Sequence, residues 1–312
     1  MVALGIVVGG YRAGGTPLYV EGMGALLQNR GAVVIGGSRG VGRAVAELLA
    51  RLGTGVVVNG RDGDAVSQTV AAITGTGHAA TGFAGSAADE ATAAAVIATC
   101  VSHFDRIDIL VNCAGIAEPP DSSILTVTGA QFDAVMASHI GTVFHACRAA
   151  APQMVAQSSG AIINTGSFAY LGDYGGTRYP AGKGAVNSLT LAVAAELKQH
   201  RVRANVVCPG AKTRLSTGTD YEEQIRTLHR RGLLDEVSMQ GALNPAPPEY
   251  VAALYAYLAS DLARDVTGQI LVGAGNFVGR FDRPTPAFLG YRDHDTSPPW
   301  SLEELHTMVV GE

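Results

Sequence analysis

The chain has 312 residues, enough for one large α/β domain or two small ones; 47% are hydrophobic and 16% charged. A net charge of −5 argues against the basic footprint of a nucleic-acid binder, and no apolar run is long enough to span a bilayer. Cys100, Cys113, Cys147 and Cys208 form no C-x-x-C pair and have no histidines at metal spacing, which suits reduced thiols near a core, no bound metal and a cytoplasmic protein.

The opening stretch MVALGIVVGGYRAGGTPLYVEG is apolar and glycine-rich but lacks the basic start of a secretion signal, so residues 1–29 are expected to form an N-terminal extension. GAVVIGG (31–37) predicts a strand and VGRAVAELLARLG (41–53) a helix. TGVVVNG (54–60) and DAVSQTVAAI (64–73) repeat the pair, and HAATGFAG (78–85) is a weaker strand before the helix at 89–104. RIDILVNCAG (106–115) and SGAIINTGS (159–167) are two more buried strands, with one long helix over 129–155 between them. A helix over 179–200 and a strand over 201–210 follow. Residues 211–248 are polar, with one helix near 220–234, and should form a substrate loop. PPEYVAALYAYLAS (247–260) is a helix with proline at its start, and GQILVGAG (268–275) is the last strand. Strands that are apolar at every position fit a parallel sheet covered on both faces. The repeated βα order then predicts a three-layer, doubly wound, Rossmann-like α/β fold in a single domain over 30–280. The proline-rich tail 281–312 carries Trp300 and is expected to cap a pocket or pack on a neighbouring subunit.

GGSRGVG (36–42) lies directly between a strand and a helix. Gly36 permits a tight turn, and Gly40 and Gly42 let a pyrophosphate and the helix approach the backbone, beside Ser38, Arg39 and Val41. An NAD site normally places a carboxylate after the second strand, to hold the ribose hydroxyls. Here Asn59 is followed by Gly60 and Arg61, and Arg39 lies in the turn itself. Two arginines suit a ribose 2′-phosphate, so NADP(H) is favoured. Asp62 and Asp64 stand close enough to leave NAD(H) open, and the alternative reading of the arginines is as solvated surface charges.

GGSRGVG, ILVNCAG, INTGS, YPAGK and CPG follow the order and approximate spacing of the short-chain dehydrogenase/reductase family, which the chain resembles from residue 30 to about 275. The stretches MASHIGTVFHACRAAAPQM and PEYVAALYAYLASDLARDVTGQILVGAGNFVGRFDRP resemble the (3R)-hydroxyacyl-CoA dehydrogenase branch of peroxisomal multifunctional enzymes. The resemblance implies an NAD(P)-dependent oxidoreductase interconverting a secondary alcohol and a ketone, with 3-hydroxyacyl/3-oxoacyl thioesters as substrates. A steroid or other hydrophobic alcohol is the alternative, and a non-catalytic dinucleotide-binding sensor a further one. It makes Tyr179 the catalytic acid/base, Lys183 its partner and ribose ligand, and Ser167 the group that binds the substrate oxygen. Asn112, Ala114 and Gly115 fall in the cofactor-strand signature, where Cys113 replaces an asparagine; Pro209, Gly210 and Thr213 fall at the nicotinamide end. His139 occupies the position of the family's relay asparagine. The loop from Ser167 to Tyr179 is short, and the acid that often follows the third strand is replaced by Ala84 and Gly85. In relatives the helices over 129–155 and 179–200 build subunit contacts, implying a homodimer or homotetramer.

The chemistry of Tyr179 and Lys183 has an independent rationale. Residues four apart share a helix face and point into one cleft. A cation ~5 Å from a phenolate at an effective dielectric of ~20 favours it by ~3 kcal/mol, which brings proton exchange within reach near neutral pH. Tyr170, Tyr174 and Arg178 read as loop surface or pocket wall, and His145 and His229 as structural.

Overall fold

Valine- and isoleucine-rich runs become strands buried on both faces, as their unbroken apolar character requires. The computed structural model describes residues 26–118, 122–174, 176–214 and 216–311. Residues 1–25 of the expected extension lie outside the described residues.

The elements in chain order are β1 (Gly31–Ile35), α1 (Gly40–Arg51), β2 (Gly55–Gly60), α2 (Gly63–Thr74), β3 (Ala80–Ala84), α3 (Glu90–Phe104) and β4 (Ile109–Asn112). Next come α4 (Gly129–Met136), α5 (Thr142–Gln157), β5 (Gly160–Thr165), α6 (Arg178–Leu197) and β6 (Val202–Gly210). Then follow α7 (Thr219–Arg230), α8 (Glu236–Leu243), α9 (Pro248–Ala259), β7 (Ile270–Ala274), β8 (Phe277–Phe281) and α10 (Leu302–Val310).

The sheet order is β3-β2-β1-β4-β5-β6-β7-β8. All pairs are parallel except β7 with β8, whose register runs Ile270 to Phe281 through Ala274 to Phe277. The chain reverses its direction of sheet growth between β1 and β4. In open α/β sheets a ligand crevice forms at such a switch, outside the carboxyl ends of the strands.

Two apolar layers flank the sheet. One packs α1 and α9 through Val45, Leu49, Tyr255 and Leu258, all buried. The other packs α3, α5 and α6 through Val96, Cys100, Ala146, Met154 and Val186. Residues 26–29 belong to the first layer. Leu27 is fully buried, its N–H donates to Leu52 O at 3.1 Å, and Leu26 packs alongside. Leu27→Ala should therefore cost about 2–5 kcal/mol in chemical denaturation, the usual range for emptying a core site; a loss near zero would place this segment outside the core.

The structure corrects several expectations. The single helix over 129–155 is interrupted: α4 and α5 are joined by a π turn at Ala137–Gly141, which contains His139. An extra residue in one turn leaves the apolar periodicity almost unchanged, so the pattern does not reveal it. The substrate loop has a second helix, α8, beginning at Asp235, whose side chain accepts from Ser238 N. β8 adds an antiparallel edge strand after the expected last one.

Residues from Asp282 onward form a separate small unit. Within it, α10 starts with a reciprocal capping box between Ser301 and Glu304. The Arg292 guanidinium stacks 3.8 Å from the Trp300 ring and donates to Glu304 at 2.6 Å.

Candidate active site

The glycine turn after β1 opens onto the crevice. Its geometry forbids side chains at several points: a Cβ on Gly36 would lie 2.7 Å from Ala114 N, and one on Gly42 would lie 2.2 Å from Gly36 O. Gly40 has φ +53° and faces Thr213, whose Cγ2 would be 3.4 Å from an added Cβ. The residue before α1 is Arg39, which makes no side-chain cap. The first N–H groups of that helix therefore look into the crevice without a side-chain acceptor, the arrangement that receives a pyrophosphate.

The end of β2 lines another part of the crevice. Asn59 is buried and donates to Phe83 O at 2.9 Å and Gly85 O at 3.2 Å, which ties β2 to the end of β3. Gly60 is closely packed: a Cβ there would lie 2.5 Å from Ser38 Oγ, which would have to rotate away, and 3.2 Å from Val66 Cγ2. As a glycine it offers none of the carboxylate that an NAD site places at that position. The nearest acid, Asp62, has two duties already. It accepts from Ala65 N at 3.1 Å as the cap of α2, and it forms an ion pair with Arg39. These bonds, the backbone one first, hold its carboxyl below the ordinary range.

The opposite wall comes from β5, β6 and α6. Ser167 follows β5 and accepts from Ala169 N at 3.2 Å, at the start of a short 3₁₀ turn. Tyr179 and Lys183 lie one helical turn apart on α6, and both line the crevice with Ser167. The Lys183 ammonium is buried, donates to Thr165 O at 2.9 Å and stands 5.7 Å from the centre of the Tyr179 ring. Thr165 in turn shares a 2.8 Å hydrogen bond with the fully buried Tyr255 hydroxyl.

The crevice has a volume of about 1340 Å³. It brings together Gly36, Ser38, Arg39, Gly40, Val41, Gly42, Asn59, Arg61, Ala114, Gly115, Ser167, Tyr179, Lys183, Pro209, Gly210 and Thr213. The other two sequence candidates stand behind its wall. Asn112 is buried and donates to Asn164 Oδ1 at 2.8 Å, bracing β4 against β5. His139 is 1% exposed and wedged between Gly115 and Gly182, where added Cβ atoms would lie 3.2 Å and 2.9 Å from its ring nitrogens. Its ring meets Tyr179 edge-on at 5.0 Å, and Nε2 faces both Ile116 N at 3.1 Å and Ile116 O at 3.0 Å. Burial, then the Lys183 charge, pushes the imidazole down to about 3, so it remains neutral at working pH.

Five further observations add to the sequence reading. Arg178 is a buried cation, not loop surface; it pairs with Glu118 at 3.2 Å. Glu118 also accepts from Tyr179 N at 2.6 Å. Tyr174 and Tyr221 line the substrate side, and burial raises both phenols, that of Tyr221 to about 12, so they act as neutral walls. His229 does have a carboxylate neighbour, Glu236 at 3.4 Å. The four thiols are free, and burial pushes them up, to about 11 at Cys113 and about 12 at the others, which makes them inert.

A phosphate-cradling turn facing a buried amine and a partly exposed phenol across one crevice defines a class: nicotinamide-dinucleotide enzymes that act on hydroxyl and keto groups. Comparison with known proteins narrows this. The family model described as short chain dehydrogenase matches residues 30–224. A hydroxyacyl-CoA dehydrogenase of Mycobacterium tuberculosis is 34% identical over 263 residues, covering 80% of this chain and 78% of that protein. A 3alpha-hydroxysteroid dehydrogenase of Mediterraneibacter gnavus is 33% identical over 256 residues, covering 79% and 96%. A crystal structure of a short chain dehydrogenase from Mycobacterium avium superposes with a TM-score of 0.75 at 30% identity, covering 91% and 94%. The chain belongs to the short-chain dehydrogenase/reductase family. Among the described residues no helix is long and apolar enough to cross a membrane.

Proposed function

We propose that this oxidoreductase uses NADP(H) to interconvert 3-hydroxyacyl and 3-oxoacyl thioesters, working in the cytoplasm as a homodimer or homotetramer. The observation that carries the reading is the convergence of Ser167, Tyr179 and Lys183 on the crevice that the glycine turn opens. Gly36, Gly40, Gly42 and the uncapped start of α1 would hold the pyrophosphate, Arg39 and Arg61 the 2′-phosphate, and Lys183 the nicotinamide ribose. The dinucleotide, when bound, supplies or accepts the hydride.

In the reducing direction the Tyr179 hydroxyl donates its proton to the carbonyl oxygen, and the Lys183 ammonium stabilises the phenolate left behind. Ser167 donates a second hydrogen bond to the same oxygen, where negative charge develops. The substrate side is apolar and aromatic, with Phe168, Tyr174, Tyr221, Ile225 and Val237, which suits an acyl chain. The same lining favours a steroid as the second reading.

Parallel titration tests the cofactor assignment. NADPH should bind at least about tenfold more tightly than NADH, equivalent to ~1.4 kcal/mol. Arg39→Ala and Arg61→Ala should each remove about five- to tenfold of NADPH affinity and leave NADH unchanged, as expected for charge-assisted bonds to a phosphate. Tighter binding of NADH reverses the assignment. Turnover of a 3-oxoacyl thioester against a 3-keto steroid decides the substrate class, and light scattering at micromolar concentration decides the assembly.

A further inference from the structure

We propose that Glu118 is a positioning residue for Tyr179, fixing the start of the catalytic helix against the cofactor wall of the crevice. The proposal rests on the reading of Tyr179 as proton donor. Helix α6 begins at Arg178, and Thr177 before it provides no side-chain cap. The first N–H groups of a helix lack intrahelical acceptors, and the Tyr179 amide is one of them. It donates to Glu118 Oε2 at 2.6 Å, across 61 residues of sequence. A carboxylate is favoured there both by the helix dipole and by the charge-assisted bond.

The second oxygen of Glu118 accepts from Arg178 Nε at 3.2 Å, and Arg178 Nη1 donates to Gln131 O at 2.8 Å. The pair is largely withdrawn from water, with the Arg178 side chain 7% and the Glu118 side chain 9% exposed. Even the loop before the helix is shaped around the carboxylate. Gly176 has φ +76°, and a Cβ there would lie 2.6 Å from Glu118 Cγ.

One carboxylate therefore joins the segment after β4, the first turn of α4 and the start of α6. Residues 113–118 after β4 line the crevice that Tyr179 also lines. The placement of Tyr179 relative to that wall is thus set through Glu118. Thr177 stands at the cap position yet its side chain makes no bond to the helix, so the Tyr179 amide is left to Glu118.

Three substitutions separate positioning from charge balance. Glu118→Gln keeps an acceptor for the Tyr179 amide but strands the Arg178 cation. Glu118→Ala removes both interactions, and Glu118→Asp keeps the charge but lacks the reach. Thermal unfolding should fall by similar amounts in the Gln and Ala variants. Turnover should not: kcat stays within about threefold of wild type in Glu118→Gln. It drops about thirtyfold in Glu118→Ala and about tenfold in Glu118→Asp, because sub-ångström displacement of a reacting group costs up to ~100-fold. KM for the dinucleotide should change little in all three. Independently of activity, the Tyr179 amide should exchange hydrogen slowly in wild type and Glu118→Gln and rapidly in Glu118→Ala and Glu118→Asp. Equal kcat losses for Gln and Ala, a wild-type kcat for Ala, or unchanged exchange would overturn the proposal. If Glu118→Ala does not fold, Glu118→Asp decides: a wild-type kcat there reduces Glu118 to a counter-ion. A wild-type enzyme inert toward every ketone removes the catalytic reading, while exchange still reports on the anchor itself.

Discussion

Tyr179→Phe is expected to lower kcat/KM by about a thousandfold while dinucleotide affinity stays within about threefold of wild type, the range expected when a positioned general acid is lost. The ring makes the packing contact, edge-on to His139 at 5.0 Å, and phenylalanine preserves it. What disappears is the hydroxyl that stands one helical turn from the buried Lys183 ammonium. Ser167 alone can polarise a carbonyl, but an aliphatic hydroxyl is a far weaker acid than a phenol and cannot replace it as proton donor. Steady-state kinetics with a saturating dinucleotide, together with fluorescence titration of the variant, read the two quantities separately. A phenylalanine variant with more than about a tenth of wild-type turnover would remove Tyr179 from the chemistry.

Lys183→Met should behave differently, losing about a hundredfold in kcat and about tenfold in dinucleotide affinity, as its proposed roles in proton transfer and ribose binding require. The side chain is 4% exposed, and its ammonium donates to Thr165 O at 2.9 Å. Methionine fills a similar volume without the charge, so the fold should survive the exchange. Loss of turnover with unchanged dinucleotide affinity would confine Lys183 to the proton step. Retention of both would deny it any part in the site.

The two substitutions probe what short sequence motifs already carried. A glycine turn between a strand and a helix, or a tyrosine and lysine four positions apart, is a local pattern whose geometry follows from the element it sits on. The doubly wound architecture was legible for a similar reason, since repeated βα units with right-handed crossovers leave few topologies. Asn112 and His139 show the limit of carrying residues by position alone. Both stand where the family motif puts them, yet their side chains turn behind the crevice, Asn112 to Asn164 and His139 into the gap between two glycines. The π turn that sets the direction of His139 adds one residue to one turn, too little to disturb an apolar period.

The sequence by itself determined the layered α/β architecture and which elements carry the glycine turn, Ser167, Tyr179 and Lys183, because each depends on residues close together in the chain or on a repeated order of elements. The tertiary structure alone decided that Gly60 packs against Ser38, that Asp62 is engaged with Arg39, and that Glu118 and Arg178 pair at the start of α6. Those pairings join residues 22 to 61 positions apart by sequence number, through side chains whose spacing leaves no periodic trace; only packing of the sheet's two layers brings them within bonding distance.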